Sequence, residues 1–310
     1  MPELPEVETI VRGLNTKVLG RTFIDVWTDF PKIIKKPRDF GQFKKEIKNK
    51  KIQKIWRRGK NIIFNLTGNK ALLVHQKLTG HLLSGKWRQD GGIWKSLIPG
   101  PISDDPKNRF LHLIFFLDNN RQLALSDLRK FAKVEIWDKN ELENSKWFKS
   151  LGPEPLEKNF TFEKLKKVLT KKKAAKGEPR QRRGKIKQIL MDQEVIAGIG
   201  NIYSDEILWK ARIHPFKDIS KLTEAEFKKI YTALQEILRK AIKLRGESIS
   251  DFRDIEGRRG FFDKARKVYR REGEKCSRCG KIIKRLKLAG RSAHFCPKCQ
   301  PFHDYLSLRA

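Results

Sequence analysis

Four cysteines, all after residue 275, form the strongest chemical pattern in the sequence. They make two Cys-x2-Cys pairs with sixteen residues between them, Cys276 with Cys279 and Cys296 with Cys299. This spacing is typical of a zinc ribbon, in which four thiolates complete a tetrahedral site and leave no position for water. A redox-active cysteine pair is the less favoured alternative, because two pairs are present. The sequence therefore predicts one structural Zn2+.

The N-terminal stretch MPELPEVETI carries a different chemistry. Removal of Met1 would leave Pro2 with a secondary α-amine, and α-amino groups have a reference pKa of about 7.7–8.0. Such an amine is partly neutral at pH 7 and can form a Schiff base with an aldehyde carbon, such as that of an abasic deoxyribose. The neighbouring carboxylate of Glu3 could move protons. A simpler interpretation is a helix start, with Pro5 in the first turn and Glu6 at the positive end of the helix dipole.

Three further stretches carry groups that bind nucleic acids. AGIGN places Asn201 and free backbone N–H groups at a helix N-terminus, which is an anion site, although an ordinary helix–helix turn explains it equally well. Lys60 in RRGK can hold a phosphate, although such a stretch is more often a basic turn. Arg129 and Phe131 alternate at strand spacing and could enter a DNA stack, the alternative being a strand end with the phenylalanine in the core.

The charge of the chain indicates a polyanionic partner. Its 310 residues include 70 Lys and Arg against 36 Asp and Glu, a formal net charge of +34. Counterion release favours nucleic acid over an anionic membrane surface, and solubility explains some of the lysines. The sequence has no apolar run long enough to cross a bilayer, and its first residues are acidic and interrupted by prolines, unlike a signal segment. We therefore expect a cytoplasmic protein that has no membrane partner.

The elements that must position these groups indicate an α+β protein. Short apolar and β-branched runs from about residue 20 to 137 predict a β-sandwich behind a short N-terminal helix, with residues 86–109 as a long surface loop. The chain turns helical from Pro153 to Leu244, and its clearest helix starts with a capping box formed by Thr223 and Glu226. The basic stretch 171–185 is expected to be a mobile linker or a loop facing DNA. Between the cysteine pairs we predict a β-hairpin that turns near Ala289-Gly290.

PELPEVE, RRGK, GIGNIYSDE and the four-cysteine ribbon with GRS before its second pair occur together and in this order. In this ordered set the whole chain resembles the formamidopyrimidine-DNA glycosylases, zinc-finger enzymes of bacterial base excision repair. The resemblance implies a monomer that excises oxidised purines, such as 8-oxoguanine and formamidopyrimidines, from damaged double-stranded DNA and cuts the strand by β,δ-elimination. It also implies three regions: a catalytic β-sandwich (1–150), a helix-two-turn-helix domain with a lesion-capping loop (151–264) and a zinc finger (265–310).

The resemblance also assigns catalytic and supporting roles. It implies that Pro2 attacks the anomeric carbon of the sugar and that Glu3 is the general acid/base that helps to open the ring. Glu6 is the supporting carboxylate. Lys60 belongs with this catalytic group and would contact a phosphate.

Further roles concern DNA binding. Asn201 and Arg291 would bind phosphates around the flipped nucleotide, while Arg129 and Phe131 would fill the space that it leaves, with Arg129 facing the orphaned cytosine. Lys187 aligns with a basic residue linked to lesion processing. Asp192 is expected to order the turn that precedes GIGN.

The chain also departs from the pattern of the family. Leu78 stands where a void-filling methionine is usual, Ala132 replaces the glycine after the intercalating phenylalanine, and Arg270 replaces the glycine of a VYGR stretch. The stretches 86–109 and 171–185 look longer than is typical. The lesion-capping loop is expected between Glu247 and Phe262.

Two alternatives stay open. A non-enzymatic DNA-binding protein would need neither Pro2 nor an acidic first helical turn, and the chain has both. A relative of the endonuclease VIII type, which prefers oxidised pyrimidines, is disfavoured by the PELPE start and by the Arg129/Phe131 pair, but Leu78 leaves it open.

Overall fold

The computed structural model describes residues 1–172, 180–248 and 251–302. The chain divides into two compact units, one made of Met1–Lys149 with Ala241–Asp263 and the other of Ser150–Lys240 with Lys264–Ala310. Residues 241–263, which the sequence analysis placed with the helical domain, thus group with the N-terminal unit. Among the described residues no helix is both long and apolar enough to cross a membrane.

The first unit is built on nine strands in one continuous sheet, in the order β2-β11-β5-β4-β3-β1-β9-β10-β6. The elements of its N-terminal stretch are α1 (Leu4–Lys17), β1 (Thr22–Thr28), β2 (Ile34–Lys36), α2 (Phe40–Ile47), β3 (Lys50–Arg58), β4 (Asn61–Leu66), β5 (Lys70–His75), β6 (His81–Gly85), β7 (Trp87–Asp90), β8 (Ile93–Ser96), α3 (Pro101–Asp104), β9 (Leu111–Leu117), β10 (Gln122–Ser126), β11 (Lys133–Asp138), α4 (Lys139–Asn144) and α5 (Lys146–Ser150).

Both halves of the sheet face one core, as in a sandwich. Strand β1 joins the halves, and its Phe23 ring contacts Phe64 of β4 and Phe115 of β9, with centroids 6.5 and 5.1 Å apart. The apolar face of α1, which includes Val7 and Ile10, is buried in the same cluster. The mixed α+β prediction is confirmed, and the core fixes the start of α1 relative to the sheet.

The prediction that residues 86–109 form a surface loop is wrong. Strands β7 and β8 form a separate antiparallel hairpin that turns at Gly91 and Gly92, and α3 follows it. Trp87 and Ile102 pack with Leu83, Ile114 and other residues on the outer face of the sheet. Burial of these apolar side chains stabilises the hairpin, because an open loop would leave them in water.

The second unit contains α6 (Phe162–Thr170), β12 (Lys171–Lys172), β13 (Arg180–Gln181), α7 (Ile186–Met191), α8 (Asn201–Ala211), β14 (Lys284–Leu288) and β15 (Arg291–Phe295). It also contains α9 (Glu224–Lys243) except for the last turn, which begins at Ala241 and groups with the first unit. The capping box of α9 is present, since Thr223 N donates to Glu226 Oε2 at 2.9 Å and Glu226 N to Thr223 Oγ1 at 3.3 Å. Strands β14 and β15 pair as the predicted hairpin, with positive φ at Ala289 and Gly290. Of the stretch 171–185, β12 pairs with β13, and residues 173–179 lie outside the described residues.

Candidate active site and nucleic-acid interface

The start of α1 forms a buried carboxylate cluster. Pro2, Glu3 and Glu6 are all buried. The Glu3 backbone N–H donates to Glu6 Oε2 at 2.8 Å, and the Glu247 backbone N–H donates to Glu6 Oε1 at 2.7 Å. A Cβ on Gly246 would lie 2.7 Å from Glu6 Oε1, so a glycine permits this close approach. Glu6 therefore holds the backbone at Glu3 and at Glu247 together.

The terminal amine of the chain lies among charged groups of the first unit. Burial lowers the pKa of the Met1 amine from its ordinary value of 8.0, and Lys60 lowers it further. The negative charges of Glu3, Glu6 and Asp251 act in the opposite direction. This shift belongs to the amine of Met1. Pro2 is itself buried, and burial would act in the same direction on its nitrogen once Met1 is removed.

Lys60 lies at the tight turn between β3 and β4, where Gly59 has a positive φ, and only 7% of it is exposed. Burial, with the charges of Lys77 and Lys60, lowers the pKa of His75 to about 3. His75 is therefore neutral at physiological pH, and its Nδ1 accepts the Lys77 N–H at 3.0 Å. His75 was not among the predicted site residues, although it is the first residue of the HQKLTG stretch that carries Leu78.

The three predicted void-filling residues are on two loops at the surface. Leu78 is 37% exposed and Phe131 is 49% exposed, which excludes the alternative of a core phenylalanine. The guanidinium of Arg129 lies 4.8 Å from the centre of the Phe131 ring. The two residues follow β10 in a loop and are not on a strand as predicted, since Lys130 between them has a φ of 57°.

The buried carboxylate of Asp127 stabilises the conformation of the loop that carries Arg129 and Phe131. Asp127 accepts hydrogen bonds from the Thr79 hydroxyl and, at 2.7 Å, from the Ala132 N–H, while the Arg129 N–H donates to Thr79 Oγ1 at 3.1 Å. Asp127 thus ties the loop that carries Leu78 to the loop that carries Arg129. No local signal in the sequence singled it out.

In the second unit, two predicted phosphate ligands line one polar cavity. Asn201 begins α8 and Arg291 begins β15, and with Tyr269 and Arg270 they line a cavity of about 750 Å3. The side-chain oxygen of Asn201 is buried and has no hydrogen-bond partner among the described residues. A helix N-terminus beside two arginines suits an anionic ligand.

Two adjacent carboxylates on α8 hold this cavity together. Asp205 accepts the His294 N–H and ring Nδ1–H at 3.0 and 2.9 Å, which fixes β15. Glu206 accepts three backbone N–H groups at 2.7–2.9 Å, from residues 267–269. Burial raises the pKa of Glu206 in spite of these bonds. Both carboxylates lie in the GIGNIYSDE stretch, but neither was predicted to have a role.

The buried position of Lys187 does not fit the DNA contact that was predicted for it. It is fully buried, and its ammonium donates to Asp205 Oδ1 at 2.6 Å and to the Ser292 carbonyl. It therefore connects α7 to α8 and to β15 next to Arg291, and we regard it as a positioning residue. Asp192 orders the following turn, since its Oδ1 accepts the Glu194 N–H at 2.9 Å.

The four cysteines fit a zinc ion. Their sulfur atoms all lie within 4.8 Å of one another, with Cys276–Cys299 at 3.9 Å and Cys279–Cys296 at 3.4 Å. A tetrahedron of thiolates at about 2.3 Å from zinc has sulfur–sulfur distances of about 3.8 Å. Trp209 of α8 packs against the cysteine cluster. The zinc is structural, because all four ligands come from the protein.

Comparisons with known proteins agree with this architecture. The model of the "Formamidopyrimidine-DNA glycosylase N-terminal domain" matches residues 1–134, that of the "Formamidopyrimidine-DNA glycosylase H2TH domain" residues 151–253, and that of the "Zinc finger found in FPG and IleRS" residues 273–301. The formamidopyrimidine-DNA glycosylase of Pelotomaculum thermopropionicum is 40% identical over 300 residues, which cover 97% of this chain and 99% of the relative. That of Carboxydothermus hydrogenoformans is 38% identical over 300 residues, 97% and 100% of the two chains.

Solved structures show the same likeness. A complex of Lactococcus lactis Fpg with DNA that contains an abasic site has a TM-score of 0.79 and 35% identity, and covers 97% of this chain and 100% of its own. A complex of MutM with DNA that contains carbocyclic 8-oxo-G gives the same four values. The fold and the site thus define a DNA glycosylase of DNA repair that binds DNA and carries a structural zinc finger. The chain belongs to the formamidopyrimidine-DNA glycosylase family.

Arg270 is expected to add one phosphate contact to this interface. Its φ of 51° is costly for arginine but not for glycine, so Arg270→Gly should relieve about 1 kcal/mol of backbone strain. The variant should bind DNA more weakly, and the slope of log K against log salt should become shallower by about one. Fluorescence anisotropy at several salt concentrations measures both, with Lys229→Ala on α9 as the charge-matched control. An unchanged slope would exclude the contact.

Proposed function

We propose that the chain is a bifunctional glycosylase and AP lyase that excises oxidised purines, 8-oxoguanine and formamidopyrimidines, from duplex DNA. The observation that carries the proposal is the buried cluster of Pro2, Glu3 and Glu6, with Lys60 acting on the terminal amine. It is supported by relatives named formamidopyrimidine-DNA glycosylase and by similar structures in complex with abasic, Fapy-dG and carbocyclic 8-oxo-G DNA.

The proposed reaction begins when loss of Met1 frees the nitrogen of Pro2. The neutral amine attacks C1′ of the damaged nucleotide, so the N–C1′ bond forms and the bond to the base breaks. The base leaves with the electron pair of that bond and takes up the proton that the amine nitrogen loses. Glu3 donates a proton to the ring oxygen, the sugar opens, and an iminium remains on Pro2. Loss of a C2′ proton then expels the 3′ phosphate, a second elimination expels the 5′ phosphate, and water releases the sugar from Pro2.

Binding groups from each unit serve this reaction in the proposal. In the first unit, Lys60 holds a phosphate while Leu78, Arg129 and Phe131 occupy the space that the flipped nucleotide leaves. In the second unit, Asn201, Arg291 and their neighbours in the polar cavity bind phosphates on DNA. We further propose that the protein works as a cytoplasmic monomer.

Borohydride trapping tests the proposal directly. The protein is incubated with duplexes that contain 8-oxoguanine opposite cytosine or thymine glycol, and the reduced cross-link is mapped by mass spectrometry. We expect a cross-link at Pro2 that forms mainly on the 8-oxoguanine duplex. A matched control carries an N-terminal extension before Met1, which keeps the Pro2 nitrogen in a peptide bond and should abolish the cross-link.

The other outcomes separate the alternatives. A cross-link mainly on thymine glycol would assign the chain to the endonuclease VIII type, the alternative that Leu78 in the usual methionine position leaves open. A cross-link at a lysine in both proteins would exclude Pro2 as the nucleophile. Tight DNA binding without any cross-link, from protein shown to lack Met1, would contradict the Schiff-base mechanism.

A further inference from the structure

Residues 98–109, which follow the β7–β8 hairpin and are called the brace here, contact residues 251–258, called the wall segment. The brace contains α3 and a short 3-10 turn, Pro106–Arg109. The wall segment is part of the stretch from Glu247 to Phe262 in which the lesion-capping loop is expected, and residues 249–250 of that stretch lie outside the described residues. Both belong to the first unit.

Two ion pairs of opposite sense join the brace to the wall segment. Asp105 pairs with Arg253, whose guanidinium is almost fully buried. Two residues further along the brace, Lys107 Nζ lies 2.8 Å from Asp251 Oδ1. On the brace, Asp105 is followed two residues later by Lys107. On the wall segment, Asp251 is followed two residues later by Arg253, so each charge faces an opposite one. This alternation selects one register, because a shifted register would bring like charges together.

The buried side-chain amide of Asn108 adds a hydrogen bond between the brace and the wall segment. Asn108 Nδ2 donates to the carbonyls of Pro101 and Gly257 at 2.7 and 3.2 Å, and Asn108 Oδ1 lies 2.9 Å from His81 Nε2 on β6. Gly257 has a φ of 78°, and a Cβ there would lie 2.6 Å from Asn108 Nδ2 and 3.0 Å from the backbone nitrogen of Ile102. Only glycine allows this approach, so brace and wall segment pack backbone to backbone.

The wall segment borders the N-terminal cluster. The Phe252 carbonyl accepts the Ser248 hydroxyl at 2.8 Å, and the N–H of the adjacent Glu247 donates to Glu6 Oε1 at 2.7 Å. Phe252 and Ile255 also belong to the core cluster that contains Val7 of α1. Ile255 also packs closely on Gly13 of α1, where a Cβ would lie 2.3 Å from its Cγ2. A displacement of the wall segment would therefore change the surroundings of the amine.

We propose that Asp105 and Lys107 are positioning residues that hold the wall segment beside the terminal amine and thereby determine how efficiently a damaged base is excised. This inference rests on the proposed function. In the proposed reaction the amine of Pro2 attacks C1′, so the base attached to that carbon lies in the space next to the start of α1. A sugar that has already lost its base places nothing there.

The test compares two reactions of the same protein. Asp105→Asn removes one ion pair but can still accept the Lys107 N–H that Asp105 Oδ1 accepts at 2.9 Å. We expect kcat/KM for 8-oxoguanine excision to fall about tenfold, the scale of loss caused by slight misplacement of reacting groups. Cleavage of a preformed abasic site should stay within about twofold of the wild type, because no base is present to be misplaced.

A second variant tests the inference in case Asp105→Asn does not fold. Lys107→Gln breaks the more exposed pair and should give the same selective loss, while Lys107→Arg should restore excision. Asp90→Asn, which breaks the exposed Lys95–Asp90 pair of the neighbouring hairpin, is the matched control and should change neither reaction.

The remaining outcomes are distinct. Normal excision by Lys107→Gln and by folded Asp105→Asn would overturn the inference, and so would an equal loss of both reactions, because that indicates a merely structural role. If the wild type processed neither duplex, the proposed function itself would fail.

Discussion

Replacement of Glu3 by glutamine is expected to slow base excision by about 10²- to 10⁴-fold, the usual contribution of a positioned general acid. Glutamine has the same shape, but its amide cannot donate the proton that opens the sugar ring in the proposed reaction. The Glu3 backbone N–H still reaches Glu6 Oε2, so α1 should begin as in the wild type. Single-turnover excision on an 8-oxoguanine duplex measures the rate, and anisotropy measures DNA affinity, which should be unchanged.

Glu8→Gln is the control for Glu3→Gln. Glu8 lies one turn further along α1, and its carboxylate pairs with Arg12 and Arg57. Its loss should leave excision within about twofold, because Glu8 lies outside the buried cluster and its pair with the exposed Arg12 is of small energetic value. The largely buried Arg57 keeps its hydrogen bond to the Gly59 carbonyl at 3.0 Å. Retention of more than a tenth of the wild-type rate by Glu3→Gln would remove Glu3 from the catalytic role.

Removal of the zinc is expected to unfold the ribbon and to weaken DNA binding by at least about tenfold, since Arg291 and its neighbours would lose their positions. Structural zinc supplies about 10–16 kcal/mol in isolated fingers, whereas the apolar cluster around Trp209 is small. Cys296→Ala should reproduce the effect of a chelator. Zinc content, thermal unfolding and DNA affinity are the measurements.

Restoration by added zinc distinguishes loss of the metal from general damage. The chelated wild type should regain its DNA affinity with one equivalent of Zn2+, and Cys296→Ala should not. A zinc-free protein that keeps a folded ribbon and binds DNA tightly would contradict a structural role.

The features that the sequence predicted well depend on neighbouring residues. Cys276 and Cys279 lie within one tight turn, so their spacing alone indicates a metal site. The helix start at Leu4 and its capping by Glu3 and Glu6 depend on residues within one turn. The hairpin turn at Ala289-Gly290 also follows from local backbone preference.

The features that the sequence did not predict depend on contacts between residues that are distant along the chain. The stretch 86–109 folds because Trp87 and Ile102 find apolar partners on β6 and β9. Lys187 is buried because its partner carboxylate on α8 and a carbonyl of β15 come from elsewhere in the chain.

The sequence by itself therefore predicted the chemistry available to this protein: Pro2 beside a carboxylate, four thiolates for zinc and a strong excess of basic residues. The tertiary structure alone decided which groups are buried and which backbone donors Glu6 holds, including the N–H of Glu247. The physical reason is that reactivity belongs to residue types and short spacings, whereas burial and hydrogen-bond pairing arise when segments remote in sequence pack together.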